Sequence, residues 1–401
     1  MAVLYAKRPK VSSLRTTSIT NRLAGTGGEK WALHGRACRL AAEGRDVIAL
    51  TIGEPDIPTP DDVVEPAVAS LRARRTLYSS GRGEPVLLDA LADHYSARES
   101  RPFGTDQFLC LPGTQSALFA VMLGVAESGC EVLVPDPMYA TYEGVVRACG
   151  ADPVSVPLRA ERQFRLDAAD LASGITERTT ALLLNNPHNP TGAVLTEADV
   201  AAVCDVAAEH DLWIVADEVY ADFADADRFV SPLRFATVAD RVVAVSSISK
   251  SHAAPGLRSG WAVGPAEFIT RLLPVVESML FGNQPFIADA TAEVIRNGST
   301  VVAGMAERFG RRAALLEERL HASTDLRVLR PAAGMFAMVD VSATGMTGLD
   351  YAYDLLDRAG VAVMPGSSFG TTVESWVRVA LTVDDDRFAE AIDRIIAHSE
   401  G

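Results

Sequence analysis

The chain has few cysteines, and it lacks any long apolar run. Its 401 residues include five cysteines, none in a CxxC spacing and none beside a histidine in a way that predicts a metal site: Cys38, Cys110, Cys130, Cys149 and Cys204. Dispersed thiols in odd number are typical of a reducing compartment, so we predict free cysteines in a cytoplasmic protein. No run approaches the ~18–20 apolar residues that a membrane helix needs. The sequence therefore predicts no disulfide framework, no metal and no membrane partner.

Positive charge is also in deficit. Lysine and arginine number 37 against 52 aspartate and glutamate residues, which gives a formal net charge of −15. Nucleic-acid binding requires a basic face, so the balance argues against a nucleic-acid partner. With 48% hydrophobic and 22% charged residues the composition is that of a globular protein, and the length favours two domains.

Apolar, strand-like runs alternate with helical segments from residue 108 to residue 264. Such alternation predicts an α/β fold with a largely parallel sheet covered by helices on both faces. The last hundred residues read as a compact α+β unit. We predict an N-terminal arm over 1–20, a small α+β domain from 21–60 together with 300–401, and a large domain over 61–299. Residues 21–45, rich in Ala, Leu and Arg, are predicted to form one helix.

The segment SSISKSHAAPGLRSGW, residues 246–261, follows a buried strand and carries one lysine among serines. A lysine on a tight loop of small residues between two buried strands suits a reactive amine, because desolvation or nearby cations can remove its proton. Eight residues after Lys250 comes Arg258, whose guanidinium is suited to a phosphate. Read alone, the segment fits an ordinary surface loop equally well.

Other polar clusters also fall at predicted strand ends, where sites in parallel sheets lie. Asn189 sits in NNPHNPTG, a loop whose prolines fix the backbone. Asp217 ends an apolar strand and needs a cationic or hydrogen-bonding partner, and Tyr220 follows three residues later. Arg378 lies within an apolar strand, where an unpaired charge is costly. An amine, an anion clamp and a carboxylate for a protonated ring nitrogen together indicate an aromatic aldehyde phosphate.

The motifs NPHNPTG, DEVY, SISKSHAAPGLRSGW and WVRVAL, in this order, resemble the fold-type I, class I aminotransferases that use pyridoxal 5′-phosphate. The resemblance runs from about residue 20 to the C-terminus. It is closest to the aspartate-aminotransferase-like branch, and particularly to bacterial arginine–pyruvate transaminases. It implies the aspartate aminotransferase fold, with a mostly parallel, seven-stranded-type sheet in the large domain.

The resemblance also implies a role for individual residues. Lys250 would form the aldimine with the cofactor and later shuttle a proton. Asp217 would pair with the ring nitrogen, and Asn189 and Tyr220 would bond the ring O3′. The remaining cofactor contacts implied are a stacking aromatic ring, phosphate ligands and a tyrosine from the neighbouring subunit of a homodimer: Tyr139; Gly113, Thr114, Gln115, Ser247, Ser249 and Arg258; and Tyr78.

The substrate would be held by Arg378, which matches the arginine that binds the α-carboxylate, and by Gly53 and Asn189 beside it. The implied reaction moves an amino group from an L-amino acid to a 2-oxo acid, pyruvate or 2-oxoglutarate, in two ping-pong half-reactions. A basic donor such as arginine is favoured by the likeness and by Glu54 and Asp56, which follow Gly53. A dicarboxylate donor would need a second cation, for which Arg82 is the only suggestive candidate.

Two further classes of function stay open at this point. An aspartate, aromatic or broad-range aminotransferase would carry the same motifs, and so would a lyase or oxidase that uses the same cofactor on an amino acid. A cofactor-binding transcriptional regulator without catalysis is disfavoured by the acidic charge balance. The products formed from amino donors and 2-oxo acids distinguish these alternatives.

Overall fold

The computed structural model describes residues 16–26, 28, 30–225 and 227–399; the first fifteen residues of the predicted arm lie outside this range. The α-helices are α1 Ser18–Arg22, α2 Ala32–Ala42, α3 Asp61–Arg72, α4 Pro85–Glu99, α5 Thr114–Val125, α6 Tyr142–Cys149, α7 Ala168–Ser173, α8 Glu197–Glu209, α9 Ala266–Glu277, α10 Pro285–Asn297, α11 Val302–Ser323, α12 Gly348–Ala359 and α13 Asp385–Ser399. The strands are β1 Ile48–Leu50, β2 Phe108–Leu111, β3 Glu131–Asp136, β4 Asp152–Pro157, β5 Thr179–Asn185, β6 Trp213–Asp217, β7 Val242–Ser247, β8 Gly260–Val263, β9 Arg327–Leu329, β10 Phe336–Asp340, β11 Val361–Pro365 and β12 Trp376–Ala380.

Seven strands form the larger sheet in the order β2-β8-β7-β6-β5-β3-β4. The pairs between β4, β3, β5, β6 and β7 are parallel, whereas β8 runs antiparallel to both β7 and β2. Nearly every residue of the central strands is buried, as expected for a sheet covered on both faces. The predicted α/β class and mostly parallel sheet are therefore confirmed.

The smaller sheet has five strands in the order β1-β11-β12-β10-β9. Strand β1 comes from the N-terminal part of the chain and pairs parallel with β11, so residues distant in sequence share this sheet. Helices α11, α12 and α13 pack on it through one apolar cluster, which includes Phe309, Leu355 and Phe388. This arrangement is the predicted α+β unit; the residue bounds of the two domains stay a prediction.

Two local predictions need correction. The single helix predicted over 21–45 is wrong, because the described chain has α1 and α2 separated by a glycine-containing turn, in which Gly25 takes a φ of +86°. Strand β4 was not predicted: its sequence DPVSVP holds two prolines, which normally demote a strand. As the edge strand of the larger sheet it tolerates them.

The parallel strands place their carboxyl ends along one edge of the larger sheet. Asn185 at the end of β5 is in register with Asp217 at the end of β6, and β7 ends nearby at Ser247. Within the part of the chain that the structure describes, no helix is long and apolar enough to cross a membrane.

Candidate active site

Lys250 lies in the turn that follows β7, at the carboxyl edge of the larger sheet. Its Nζ donates a hydrogen bond to the carbonyl oxygen of Gly53 across 2.5 Å. Burial lowers the pKa of this amine to about 8; Glu54 opposes the shift, and the Arg378 guanidinium adds to it. A lysine with this pKa is partly neutral near pH 7–8 and can act as a nucleophile or base.

Glycine is the only residue type that fits position 53 without rearrangement of its neighbours. A Cβ built on it would lie 2.1 Å from Cζ of Phe336 and 2.7 Å from Cε1 of the same ring. The missing side chain therefore leaves room for the Phe336 ring beside the backbone, whose carbonyl accepts the bond from Lys250. This contact joins the segment after β1 of the smaller sheet to the lysine loop of the larger one.

Asp217 is buried at the end of β6, with 4% of its surface exposed. Its Oδ2 accepts a hydrogen bond from the hydroxyl of Tyr142 across 2.8 Å, and its Oδ1 accepts one from the backbone N–H of Val219 at 3.1 Å. Burial raises the pKa of Asp217 to about 6, and the two hydrogen bonds oppose that shift. A carboxylate held this way is poised to meet a cationic partner.

Arg378 and Asn189 meet between the two sheets. Nη1 of Arg378 donates to Oδ1 of Asn189 at 2.9 Å, and Nη2 donates to the carbonyl of Thr51 at 2.6 Å. Nδ2 of Asn189 lies 3.4 Å from the hydroxyl of Tyr220, to which it donates. Burial raises the pKa of this phenol well above its usual range. One asparagine thus links the arginine and the tyrosine.

The guanidinium of Arg378 lies between two phenylalanine rings. Its Cζ is 3.9 Å from the centroid of Phe336 and 4.5 Å from that of Phe369. With only 1% of the residue exposed, burial lowers its pKa to about 10. Among the described residues its Nε has no hydrogen-bond partner. A buried guanidinium with an open donor is built to receive an anion.

Several predicted phosphate ligands converge at the start of α5. Gly113 adopts a φ of +84° just before the helix, and a Cβ there would lie 2.4 Å from Nη2 of Arg258. Among the described residues no side chain caps α5, and the buried hydroxyl of Thr114 has no partner. The open N–H groups of this first turn, with Arg258 beside them, form an anion-binding surface.

The remaining predicted residues lie at different distances from this centre. Ser247 and Ser249 are buried in the lysine loop, where the backbone N–H of Ser249 donates to Oγ of Ser247. Gln115 accepts a hydrogen bond from the hydroxyl of Thr141, in the turn that carries Tyr139. Tyr78 is not brought to the site of its own chain: 91% of it is exposed, and its ring lies against that of Phe281.

Sequence reasoning missed four residues that support this centre: Tyr142, Thr51, Phe336 and Phe369. Tyr142 has a signal in the sequence, since it follows Tyr139 by three residues, and the two rings lie 5.5 Å apart. The two phenylalanines have none, because a phenylalanine in an apolar segment reads as core. Only the fold reveals that they flank an arginine.

The residues present fit pyridoxal phosphate. The Lys250 amine, whose pKa is lowered, would react with the aldehyde, and the buried Asp217 carboxylate would pair with the ring nitrogen. The phosphate would bind at the uncapped start of α5, where the Thr114 hydroxyl has no partner among the described residues. In the described residues no cluster of three or more His, Cys, Asp or Glu side chains could hold a metal ion.

Comparison with known proteins agrees with this chemistry. The family description "Aminotransferase class I and II" matches residues 45–395, so the chain belongs to that family. It is a pyridoxal-phosphate-dependent aminotransferase, with the fold of aspartate aminotransferases. The resemblance stated from the motifs is confirmed.

Individual relatives indicate the branch. The chain is 40% identical to the arginine–pyruvate transaminase AruH of Pseudomonas aeruginosa, over 95% of this chain and 97% of the relative. It is 31% identical to a probable aspartate/prephenate aminotransferase of Aquifex aeolicus, over 90% and 93%. The structure of Thermus thermophilus aspartate aminotransferase with maleate matches with a TM-score of 0.90 and 30% identity, over 96% of this chain and all of that one.

Proposed function

We propose that this aminotransferase takes the amino group of a basic L-amino acid, arginine first among them, and passes it to pyruvate in two ping-pong half-reactions. The observation that carries the transamination is the position of Lys250, whose Nζ lies at the carboxyl edge of the sheet, where the charges of both Asp217 and Arg378 affect its pKa. Pyridoxal phosphate, when bound, supplies the aldehyde that accepts the amino group and the ring that takes up electrons from the substrate Cα.

Lys250 is proposed to attach the cofactor and then to act as the base. With a pKa of about 8, roughly a tenth of the molecules carry a neutral amine at pH 7 and about half do at pH 8. With cofactor and substrate bound, Nζ would take a proton from the substrate Cα and deliver it to the carbon of the cofactor's aldehyde group. The bond to the Gly53 carbonyl keeps the amine beside the segment that flanks the substrate carboxylate.

Asp217 is proposed to hold the protonated ring nitrogen. The hydroxyl of Tyr142 and the N–H of Val219 fix the carboxylate and favour its ionised form. Tyr220 and Asn189 are proposed to donate to the phenolic oxygen of the ring, Tyr139 to stack on its face, and the α5 start with Arg258, Ser247 and Ser249 to bind the phosphate.

Arg378 is proposed to bind the substrate α-carboxylate, with Asn189 and the Gly53 backbone beside it. The guanidinium is held on one side by Asn189 and Thr51 and pressed between two rings, so its orientation is set before substrate arrives. Preorganised donors of this kind orient the substrate Cα toward the base and save the cost of ordering them on binding.

The charged residues near the site that have no partner within the described part of the chain indicate which side chain the amino donor carries. Arg82 donates to the carbonyl of Asp106 at 2.7 Å and lies near Thr270, so it is held by the chain itself and makes a poor second cation for a dicarboxylate. Asp56 is bound by Arg308 and Arg312. Glu54 stays exposed and close enough to affect the pKa of Lys250, which supports a basic donor.

A donor-by-acceptor screen tests this assignment. The purified enzyme, loaded with cofactor, is incubated with arginine, lysine, aspartate or phenylalanine, each with pyruvate or 2-oxoglutarate. We expect arginine with pyruvate to give alanine at the highest kcat/KM. A preference for aspartate with 2-oxoglutarate would reject the basic donor, and release of ammonia in place of a new amino acid would reject transamination itself.

We also propose a homodimer in the cytoplasm, in which Tyr78 reaches the phosphate of the partner's site. Leu77, Tyr78 and Phe281 form an exposed apolar patch, with 83%, 91% and 61% of each residue exposed, which supports burial in an interface. The five cysteines are free, which supports a reducing cytoplasm.

Two measurements test the dimer. Sedimentation should give twice the 42.7 kDa chain mass. Tyr78→Phe should weaken cofactor binding, while the control Tyr353→Phe should not. A monomer with full activity would reject the dimer.

A further inference from the structure

An ion pair lies beside Asp217, at the residue that follows the end of β6. The side chain of Glu218 is fully buried, and its Oε2 accepts a hydrogen bond from Nη2 of Arg98 at 2.7 Å. Its Oε1 accepts from the hydroxyl of Ser231. Two carboxylates, Asp217 and Glu218, are therefore buried on consecutive residues, and Arg98 bonds one of them.

Arg98 is fixed by more than this pair. Its Cζ lies 4.4 Å from the ring centroid of Tyr95 and 5.5 Å from that of Phe229. Its Nε donates to Glu99, and the Tyr95 hydroxyl accepts a hydrogen bond from Nε1 of Trp261 at 2.8 Å. Helix α4 is thus joined to both β6 and β8, the strands next to the lysine loop. A cation held this firmly makes a defined electrostatic contribution.

We infer that Arg98 is a positioning residue for the cofactor: its guanidinium balances the charge of Glu218, so that the neighbouring Asp217 remains a carboxylate. The inference rests on the proposed role of Asp217, because only a carboxylate pairs with a protonated ring nitrogen. In support, burial is the largest cause of the raised pKa of Asp217 and the charge of Glu218 adds to it, while Tyr142, Val219 and Lys250 lower it. The groups that face Glu218 are Arg98, Glu99, Ser231 and Tyr95.

Removing Arg98 leaves Glu218 and Glu99 without their shared cation. While Glu218 remains ionised, its unbalanced charge opposes the ionisation of Asp217 and so reduces the negative charge available to the ring nitrogen. If Glu218 takes up the proton itself, Asp217 keeps its charge and cofactor binding does not change. If the charge on Glu218 is removed at the same time, the reason for Asp217 to be protonated is removed as well.

The test compares three variants as apoproteins: Arg98→Met, Glu218→Gln and the double variant. Pyridoxal phosphate is titrated in, and the dissociation constant is read from quenching of tryptophan fluorescence. We expect Arg98→Met to weaken binding about tenfold, the effect of one pKa unit on a charge-dependent equilibrium. The double variant should bind within about twofold of the parent, because the charge imbalance is gone. A double variant as weak as Arg98→Met, or an unchanged Arg98→Met, overturns the inference.

Two controls make the result decisive. Melting temperatures of the apoproteins separate loss of fold from loss of binding. If Arg98→Met does not fold, Glu218→Gln decides alone at pH 5.5, where Asp217, with a pKa of about 6, is partly protonated. Because this variant removes the charge that opposes Asp217, tighter binding supports the inference, and unchanged or weaker binding overturns it. Asp217→Asn separates this inference from the proposed function. If Asp217→Asn weakens binding while the Arg98 set has no effect, only the role of Arg98 fails; if Asp217→Asn has no effect, the role of Asp217 fails.

Discussion

Arg378 donates a hydrogen bond to Asn189 across 2.9 Å, and this contact joins β12 of the smaller sheet to the loop after β5 of the larger one. The same asparagine donates to Tyr220. The proposed carboxylate clamp and the proposed cofactor contacts therefore share one amide, so that substrate and cofactor are positioned by a common group.

Arg378→Lys should raise KM for amino donor and 2-oxo acid alike. A lysine lacks the planar fork that reaches Asn189 and Thr51 together, and it cannot lie between two rings in the same way. Truncating a buried, hydrogen-bonded charge pair costs about 3 kcal/mol, so kcat/KM should fall roughly a hundredfold. Cofactor affinity should change much less. Steady-state kinetics with a cofactor titration check both, and an unchanged KM contradicts the assignment.

Tyr142→Phe should weaken cofactor binding without disturbing the core. The variant removes the hydroxyl that donates to Asp217 and keeps the ring. A hydrogen bond to a charged group contributes about 1.5–3 kcal/mol, so the dissociation constant of pyridoxal phosphate should rise about tenfold or more. Tyr353→Phe on α12 is the matched control and should bind normally. Equal affinities for both variants would show that the Tyr142 hydroxyl plays no part.

The rate at which the apoprotein captures pyridoxal phosphate should depend on the protonation of Lys250. With a pKa of about 8, the amine is protonated below that pH and neutral above it. Only the neutral amine attacks an aldehyde, so the rate should rise about tenfold per pH unit below pH 8 and level off above it. Stopped-flow absorbance measures this rate. The variant Lys30→Arg, whose cation can keep the ion pair with Glu143, should keep the profile. A flat profile would argue against a lowered pKa of Lys250.

The stability of the apoprotein should reflect Asp217. Its pKa is raised from 3.8 to about 6 in the fold, so between these values the folded protein keeps a proton that the unfolded chain has released. The contribution of this group to the free energy of unfolding therefore falls as pH rises from about 4 to about 6 and is constant above. Asp217→Asn removes that dependence. Denaturant unfolding of both proteins measures this effect. The free energy of unfolding of Asp217→Asn minus that of the parent should grow from pH 4 to pH 6, and a difference that does not change with pH contradicts the raised pKa.

Much of this account could be predicted from the sequence, for reasons that lie in particular residues. Apolar runs that end in Asp217 or Ser247 predict parallel strands with polar ends, and the motif order places Asn189 and Lys250 in the loops that follow such strands. The structure places these two residues at one edge of the larger sheet. Arg378 reaches Asn189 from β12 of the smaller sheet, and strand ends alone do not predict that meeting.

The remainder depends on long-range contacts. Phe336 and Phe369 flank Arg378 only because β10 and the segment after β11 lie on either side of β12, and the sequence gives no such register. Tyr142 meets Asp217 across 75 residues of sequence. The side chain of the amino donor is the feature that the sequence predicts least well. In the sequence Glu54, Asp56 and Arg82 are all charged loop residues, and only the structure shows which of them are already bound by other side chains or by the backbone.

The most direct test of the central claim locates the cofactor on the chain. The loaded enzyme is treated with borohydride, digested and analysed by mass spectrometry, with Lys250→Ala treated in parallel. We predict a pyridoxyl label on the peptide that contains Lys250, and neither the label nor the characteristic visible absorbance in the variant. A label on another lysine, or an unchanged absorbance spectrum in Lys250→Ala, would contradict the assignment of Lys250.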